Sequence, residues 1–241
     1  MGRPREAYGR VTGVMMYWEE ASAQKDTVSD NTVDLVFDIT CRTLPVDHAY
    51  PLLQALLKVL PWLTDESGAG VHPIHGAESG NGWIRPESPR ELLYLSRRTK
   101  LILRLPAARI DDARALTGRK LALADHTIEV GKNMVRRLHP ITTVFSRYVV
   151  AATDTDEPGF LVDCVDQLRE IGVVPKKMLC GRETCIALPN GSLRTRSLML
   201  AELSFPESIA LQLRGLGSSR ALGCGLFVGH RDIKPVKQET D

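Results

Sequence analysis

Along this chain the hydrophobic period switches between two and about 3.6 in the same order twice, and that repetition limits the fold more than any other feature. In the first round Val33, Leu35, Phe37 and Ile39 alternate with Asp34, Asp38 and Thr40, the pattern of a strand with one buried face. Leu52, Leu53, Leu56, Leu57 and Leu60 then recur at helical spacing, with Asp47 as a candidate cap, Pro51 in the first turn and Pro61 limiting the helix. A glycine-rich stretch holding a short strand follows, then a strand over Lys100 to Leu105, a helix over Ala107 to Leu116 and a strand ending near Val130. The order is β-α-β-β-α-β.

The second round runs from a strand over Thr143 to Ala151 to a helix over Phe160 to Ile171, which Gly172 ends. Strands over Glu183 to Leu188 and Leu193 to Leu203 flank the turn Pro189-Asn190-Gly191, a hairpin signal. A helix over Pro206 to Leu213 and a strand near Gly225 to Val228 complete it. Two copies of this order predict an α+β protein of two tandem ferredoxin-like units, each with helices on one face of an antiparallel sheet. The expected division is a polar extension over 1–30, a first domain over 31–140, a second over 141–234 and a tail over 235–241.

Composition supports a folded chain: 43% of the 241 residues are hydrophobic and 25% are charged, so neither disorder nor collagen-like order fits. The longest apolar run, Leu52 to Leu63, is broken by Lys58 and Pro61, and no export signal opens the sequence, so a cytoplasmic protein with no membrane partner is expected. Five cysteines without CxxC spacing (Cys41, Cys164, Cys180, Cys185, Cys224) fit reduced thiols better than a disulfide framework.

The net charge of +2 hides a sharp segregation. Tyr17 to His48 holds seven acids against Lys25 and Arg42, whereas Arg85 to Arg104 and Gly131 to Thr153 are basic. Such blocks suit the phosphates of a polyanion, or form an ordinary solvated face. Arg97, Arg98, Arg136 and Arg137 are positional candidates for phosphate contacts on this ground. Only 5% of residues are aromatic and no RNP-type aromatic string occurs, which disfavours base stacking on a sheet. His72 and His75, followed by Glu78, allow a metal reading, but their spacing in an irregular stretch fixes no third ligand. The same stretch offers His75, Asn81 and Trp83 as RNA contacts, or a loop anchored by a buried tryptophan.

Between the last helix and strand lies Gly215-Leu-Gly-Ser-Ser-Arg-Ala-Leu-Gly-Cys-Gly-Leu-Phe227. Glycines bring backbone N–H groups close to a phosphate and Arg220 offers a forked cation; the alternative is a tight connection whose glycines allow close packing. No Gly-Lys-Ser/Thr follows, so it is not a P-loop. This loop resembles the glycine-rich signature of the CRISPR-associated endoribonucleases that process precursor CRISPR RNA, within the RAMP superfamily. Asp47-His48-Ala49-Tyr50-Pro51-Leu52-Leu53 is similar to the family motif that opens the first helix and carries its catalytic histidine. The stretches Gly76 to Trp83, Leu95 to Lys100 and Cys180-Gly-Arg182 resemble the I-MYXAN branch.

The resemblance implies metal-independent cleavage of CRISPR repeat RNA without cofactors, by attack of a 2′-OH on the adjacent phosphate. The products are a 2′,3′-cyclic phosphate and a 5′-OH, and the mature crRNA is retained. It implies His48 as the catalytic histidine, with Gly215, Gly217, Ser218, Ser219, Arg220, Gly223 and Gly225 holding RNA backbone. The partners implied are a crRNA stem-loop and other subunits of a CRISPR effector complex. Many members add a tyrosine before the histidine, yet Val33 to Asp47 contains none, and Arg42 is the nearest candidate for stabilising phosphoryl charge. The missing tyrosine leaves an alternative, a catalytically silent RNA-binding subunit of such a complex.

Overall fold

The computed structural model describes residues 31–76, 85–86, 88, 91–152 and 155–230. The expected N-terminal extension and tail, together with Glu78, Asn81 and Trp83, lie outside the described residues.

Strand β1 (Thr32–Thr40) leads through β2 (Thr43–Pro45) to helix α1 (Ala49–Leu57), and a 3-10 turn follows at Pro61–Thr64. Short strands β3 (Gly70–Val71) and β4 (Leu92–Tyr94) precede β5 (Lys100–Pro106). Helix α2 (Ile110–Ala113) is extended at both ends by 3-10 turns, so helical backbone covers Ala107 to Leu116, and the hairpin β6 (Lys120–Leu123) and β7 (His126–Arg137) closes this half. The sheet order is β3-β5-β1-β7-β6, with every pairing antiparallel. Without the added edge strand β6, this is the order a βαββαβ unit gives.

The second half repeats the plan with β8 (Val144–Val150), α3 (Glu157–Glu170), β9 (Lys177–Leu188), β10 (Gly191–Ala201), α4 (Phe205–Arg214) and β11 (Val228–Gly229). Its order, β11-β8-β10-β9, is again that of a βαββαβ unit. Helix starts follow local chemistry: Asp156 accepts from the Gly159 N–H at 2.9 Å, and Ser204 with Glu207 forms a capping box. Gly172, at φ 78°, takes the left-handed conformation just beyond α3. Among the described residues no helix is long and apolar enough to cross a membrane, and all five cysteines are free.

Two apolar clusters hold the halves. Leu35, Phe37, Leu101 and Leu103 meet Leu52, Leu53 and Leu56 of α1 in the first, and Val144, Val149, Leu198 and Leu200 meet Phe160, Cys164 and Leu168 of α3 in the second. Each fully buried Leu or Phe contributes about 1.5–3 kcal/mol of transfer free energy.

The expectation that β1 buries one face needs correction: Val33 to Phe37 are all buried, Asp34 and Val36 included. Asp34 sits opposite Arg104 on β5 and Arg136 on β7. Arg104, 1% exposed, donates from Nε to Asp34 at 2.9 Å, and its Nη1 donates to the carbonyls of Gln212 at 2.9 Å and Phe227 at 2.8 Å. Through Arg104 the second face of the first sheet is thus joined to α4 and to the segment before β11. Arg136 at 2.9 Å and the His72 ring at 3.3 Å complete the shell around the Asp34 carboxylate. Burial alone raises the Asp34 pKa, but His72 and Arg104 outweigh it and hold the carboxyl far below the usual range. Burial keeps His72 neutral against the pull of Asp34.

Candidate active site

His48 occupies the N-cap position of α1, but its side chain makes no capping bond. Asp47, the residue expected to cap, instead pairs with Arg85. The His48 ring turns back so that Nδ1 lies 2.8 Å from the Pro45 carbonyl. A carbonyl only accepts, so Nδ1 carries the proton in the neutral ring and Nε2 keeps a lone pair. The residue is 4% exposed. Burial lowers its pKa and the Arg85 charge adds to this, while the Pro45 and Val46 carbonyls and Asp47 act the other way with less effect. The result is an imidazole neutral at neutral pH and able to accept a proton at Nε2.

A cleft of about 370 Å³, counting space open to solvent, lies against this ring. His48, Asp47, Arg85, Val71 and His72 line it from the first half, and Tyr148, Ile186, Ala221 and Leu222 from the second. Arg85 donates through Nη1 to the Val46 carbonyl at 3.3 Å and to the Tyr148 hydroxyl at 2.9 Å, and through Nη2 to Asp47. Its guanidinium carbon stands 5.8 Å from the centre of the Tyr148 ring. Tyr148 is 7% exposed; burial raises its pKa, with Arg85 opposing, so it remains a phenol.

The glycine-rich loop walls this cleft by folding tightly on itself. Gly215, Gly217, Gly223 and Gly225 all have positive φ, as does Ser219 at 64°. A Cβ on Gly225 would stand 2.0 Å from the Leu216 carbonyl oxygen, and one on Gly215 2.3 Å from that of Gly225. Close packing therefore explains these two glycines. The Gly225 N–H donates to the Tyr148 carbonyl at 2.7 Å, and the 3-10 turn Arg220–Leu222 lays Ala221 and Leu222 on the first core. Gly217 and Ser218 are exposed.

Arg220 requires a correction. Its guanidinium donates to the carbonyls of Arg214 at 2.6 Å, Leu213 at 3.3 Å and Ala69 at 3.4 Å. Burial, with Arg104 nearby, lowers its pKa to about 10. The fork expected to meet phosphate is spent on bracing the loop against the first half.

Arg42 is exposed and is not among the residues lining the His48 cleft, so the cation brought to the histidine is Arg85. Arg97 and Arg98 are exposed in the turn between β4 and β5. Arg136 and Arg137 end β7 with exposed side chains, Arg136 being already bound to Asp34. His72 is bound to Asp34, the His75 ring lies 2.9 Å from the Gly76 carbonyl, and no group of three metal-ligating side chains occurs among the described residues. Arg85 and Tyr148 escaped the sequence reading, Tyr148 because it is 100 positions from His48 and no local spacing links them. Arg85 carried a weak signal as the first cation of a basic block.

The family model described as Cas6 Crispr matches residues 33–232. A CRISPR-associated endonuclease Cas6 of Myxococcus xanthus (strain DK1622) is 31% identical over 196 residues, 81% of this chain and 80% of that protein. A solved CRISPR associated protein Cas6 superposes with a TM-score of 0.55 at 12% identity, over 83% of this chain and 100% of the other. A solved RAMP protein binding different RNA substrates gives 0.55 at 14% identity, over 81% and 98%. On the family match and the Myxococcus relative together, the chain belongs to the Cas6 family of CRISPR-associated proteins.

Proposed function

We propose that this chain is an endoribonuclease that cleaves CRISPR repeat RNA in precursor transcripts without a metal and retains the mature crRNA for other CRISPR-associated subunits. The observation that carries the reading is the protonation geometry of His48, with Nδ1–H tied to Pro45 and Nε2 open as a base at the edge of a two-sided cleft. In the reaction Nε2 takes the proton of the ribose 2′-OH as its oxygen attacks the adjacent phosphate, giving a 2′,3′-cyclic phosphate and a 5′-OH. Arg85, held beside the ring by Asp47, supplies positive charge where the phosphoryl oxygens gain negative charge.

Around this centre the exposed edge of the glycine-rich loop, Gly217 and Ser218, faces RNA backbone, and Arg97, Arg98 and Arg137 contact stem phosphates. Gly215, Gly223, Gly225, Ser219 and Arg220 act by shaping that loop.

The test is cleavage of cognate repeat RNA with and without EDTA, by the wild-type chain and His48→Ala, beside a substrate carrying 2′-deoxy at the scissile nucleotide. The reading expects cleavage that survives EDTA, fails with the 2′-deoxy substrate and falls by a factor of about 10² or more in the variant. Cleavage of the 2′-deoxy substrate, or loss of all cleavage in EDTA, refutes it.

A further inference from the structure

A base at O2′ completes only half of the proton transfers in this cleavage, because the 5′ oxygen leaves as an alkoxide unless a donor meets it. His48 is poorly suited to that second role: it is neutral in the resting protein, with its one N–H directed at Pro45. Among the described residues that line the cleft, one other side chain has a suitable hydrogen. Tyr148 accepts from Arg85 at its Oη, and since a guanidinium only donates, the phenolic hydrogen must point elsewhere. No described residue receives it, although the side chain is more than nine-tenths buried. An unspent donor at such depth is costly unless a ligand uses it.

We propose that Tyr148 is the proton donor to the leaving 5′ oxygen, so that the second half of the chain supplies the acid and the first half the base. This rests on the endoribonuclease reading above. In the step, the O2′–P bond forms and the P–O5′ bond breaks. The O2′ proton passes to His48 Nε2, and the Tyr148 proton passes to O5′. The phenolate left behind sits against the Arg85 guanidinium that already binds its oxygen, and solvent returns the proton from His48 to Tyr148 before the next turnover. The fold holds the donor firmly. The Tyr148 carbonyl accepts from Gly225 N–H and Ser146 Oγ, and the residue packs with Ile186 and Cys224.

The experiment compares Tyr148→Phe, His48→Ala and wild type on two RNAs that differ only at the scissile position. One has the natural 5′ oxygen and the other a bridging 5′ sulfur, whose thiolate leaves without protonation. The expected result is that Tyr148→Phe is slowed about 100-fold or more on the oxygen substrate. On the sulfur substrate it cleaves near the wild-type rate, whereas His48→Ala is slow on both. Unfolding temperature and affinity for 2′-deoxy RNA should match wild type in Tyr148→Phe, because a merely structural loss would slow both substrates alike. Equal slowing on both, or no slowing on either, overturns the donor while leaving His48 as base. Failure of the wild-type chain to cut either RNA overturns the parent reading, and the donor with it.

Discussion

Replacing Asp34 with asparagine removes one charge and almost no volume, and its cost is set by what the carboxylate balances. Arg104 is 1% exposed, so without Asp34 its charge is held only by neutral acceptors, the Gln212 and Phe227 carbonyls and the new amide oxygen. Removing one partner of a buried pair costs about 3–5 kcal/mol. The retained carbonyls put this case at the lower end, about 3 kcal/mol, and for a chain of this length each kcal/mol lowers Tm by about 2–4 °C. Thermal unfolding at pH 7 should therefore show Asp34→Asn about 6–12 °C below wild type. Arg136→Ala, whose side chain is 46% exposed, should cost about 1 kcal/mol or less. The pH dependence gives a second readout. The folded pKa of Asp34 is depressed, so its contribution is complete above the unfolded value near 3.9 and is lost as pH falls through and below it. The variant should lack that part of the acid slope. An Asp34→Asn protein within about 1 °C of wild type at pH 7 would refute the reasoning, since Arg104 would then need no countercharge.

Three further outcomes follow from the same geometry. Because burial and the Arg85 charge lower the His48 pKa from its ordinary value, single-turnover cleavage should change less between pH 6 and pH 8 than it would with a base of ordinary histidine pKa. A rate that rises tenfold between those values contradicts it. Gly225→Ala combines φ 65° with a 2.0 Å approach to the Leu216 oxygen, whereas Gly118→Ala has φ 79° and nothing within 4 Å. Denaturant melts should show about 1–2 kcal/mol lost at Gly118 and clearly more at Gly225, and equal losses would mean the loop is not tightly packed. Arg97→Ala and Arg98→Ala should each weaken RNA binding uniformly across sequences and reduce the magnitude of the salt slope by about 1, measured by titration at several salt concentrations.

Much of the fold could be read from the sequence because its elements obey one period at a time. Leu52, Leu53 and Leu56 mark α1, and Asn190-Gly191 marks the turn between β9 and β10. The strand ends misled wherever burial was not one-sided. β9 begins at Lys177 rather than near Glu183: Lys177 to Cys180 pair with β10 and alternate between exposed and half-buried, but the apolar Leu179 stands on the exposed side, so the sequence shows no polar–apolar alternation there. β7 reaches Arg137 rather than stopping near Val130, because it pairs along β1 as far as Val33. Asp34 looked like a solvent position in an alternating strand and proved to be the centre of a buried ion network, invisible until the second half is joined to that face. At the site, the sequence marked His48 through its motif. Arg85 and Tyr148 join it only by tertiary approach, across separations of 37 and 100 positions.

Ala221 and Leu222 belong at once to the wall of the cleft and to the apolar seam against the first core. Two of the residues that a nucleotide in the cleft would meet therefore also help to keep the two halves together. Enlarging that wall's cavity for a different base would loosen the seam in the same stroke, and filling it would push the halves apart. Changes in RNA preference are thus steered toward the exposed turns, where a residue can vary without disturbing the architecture.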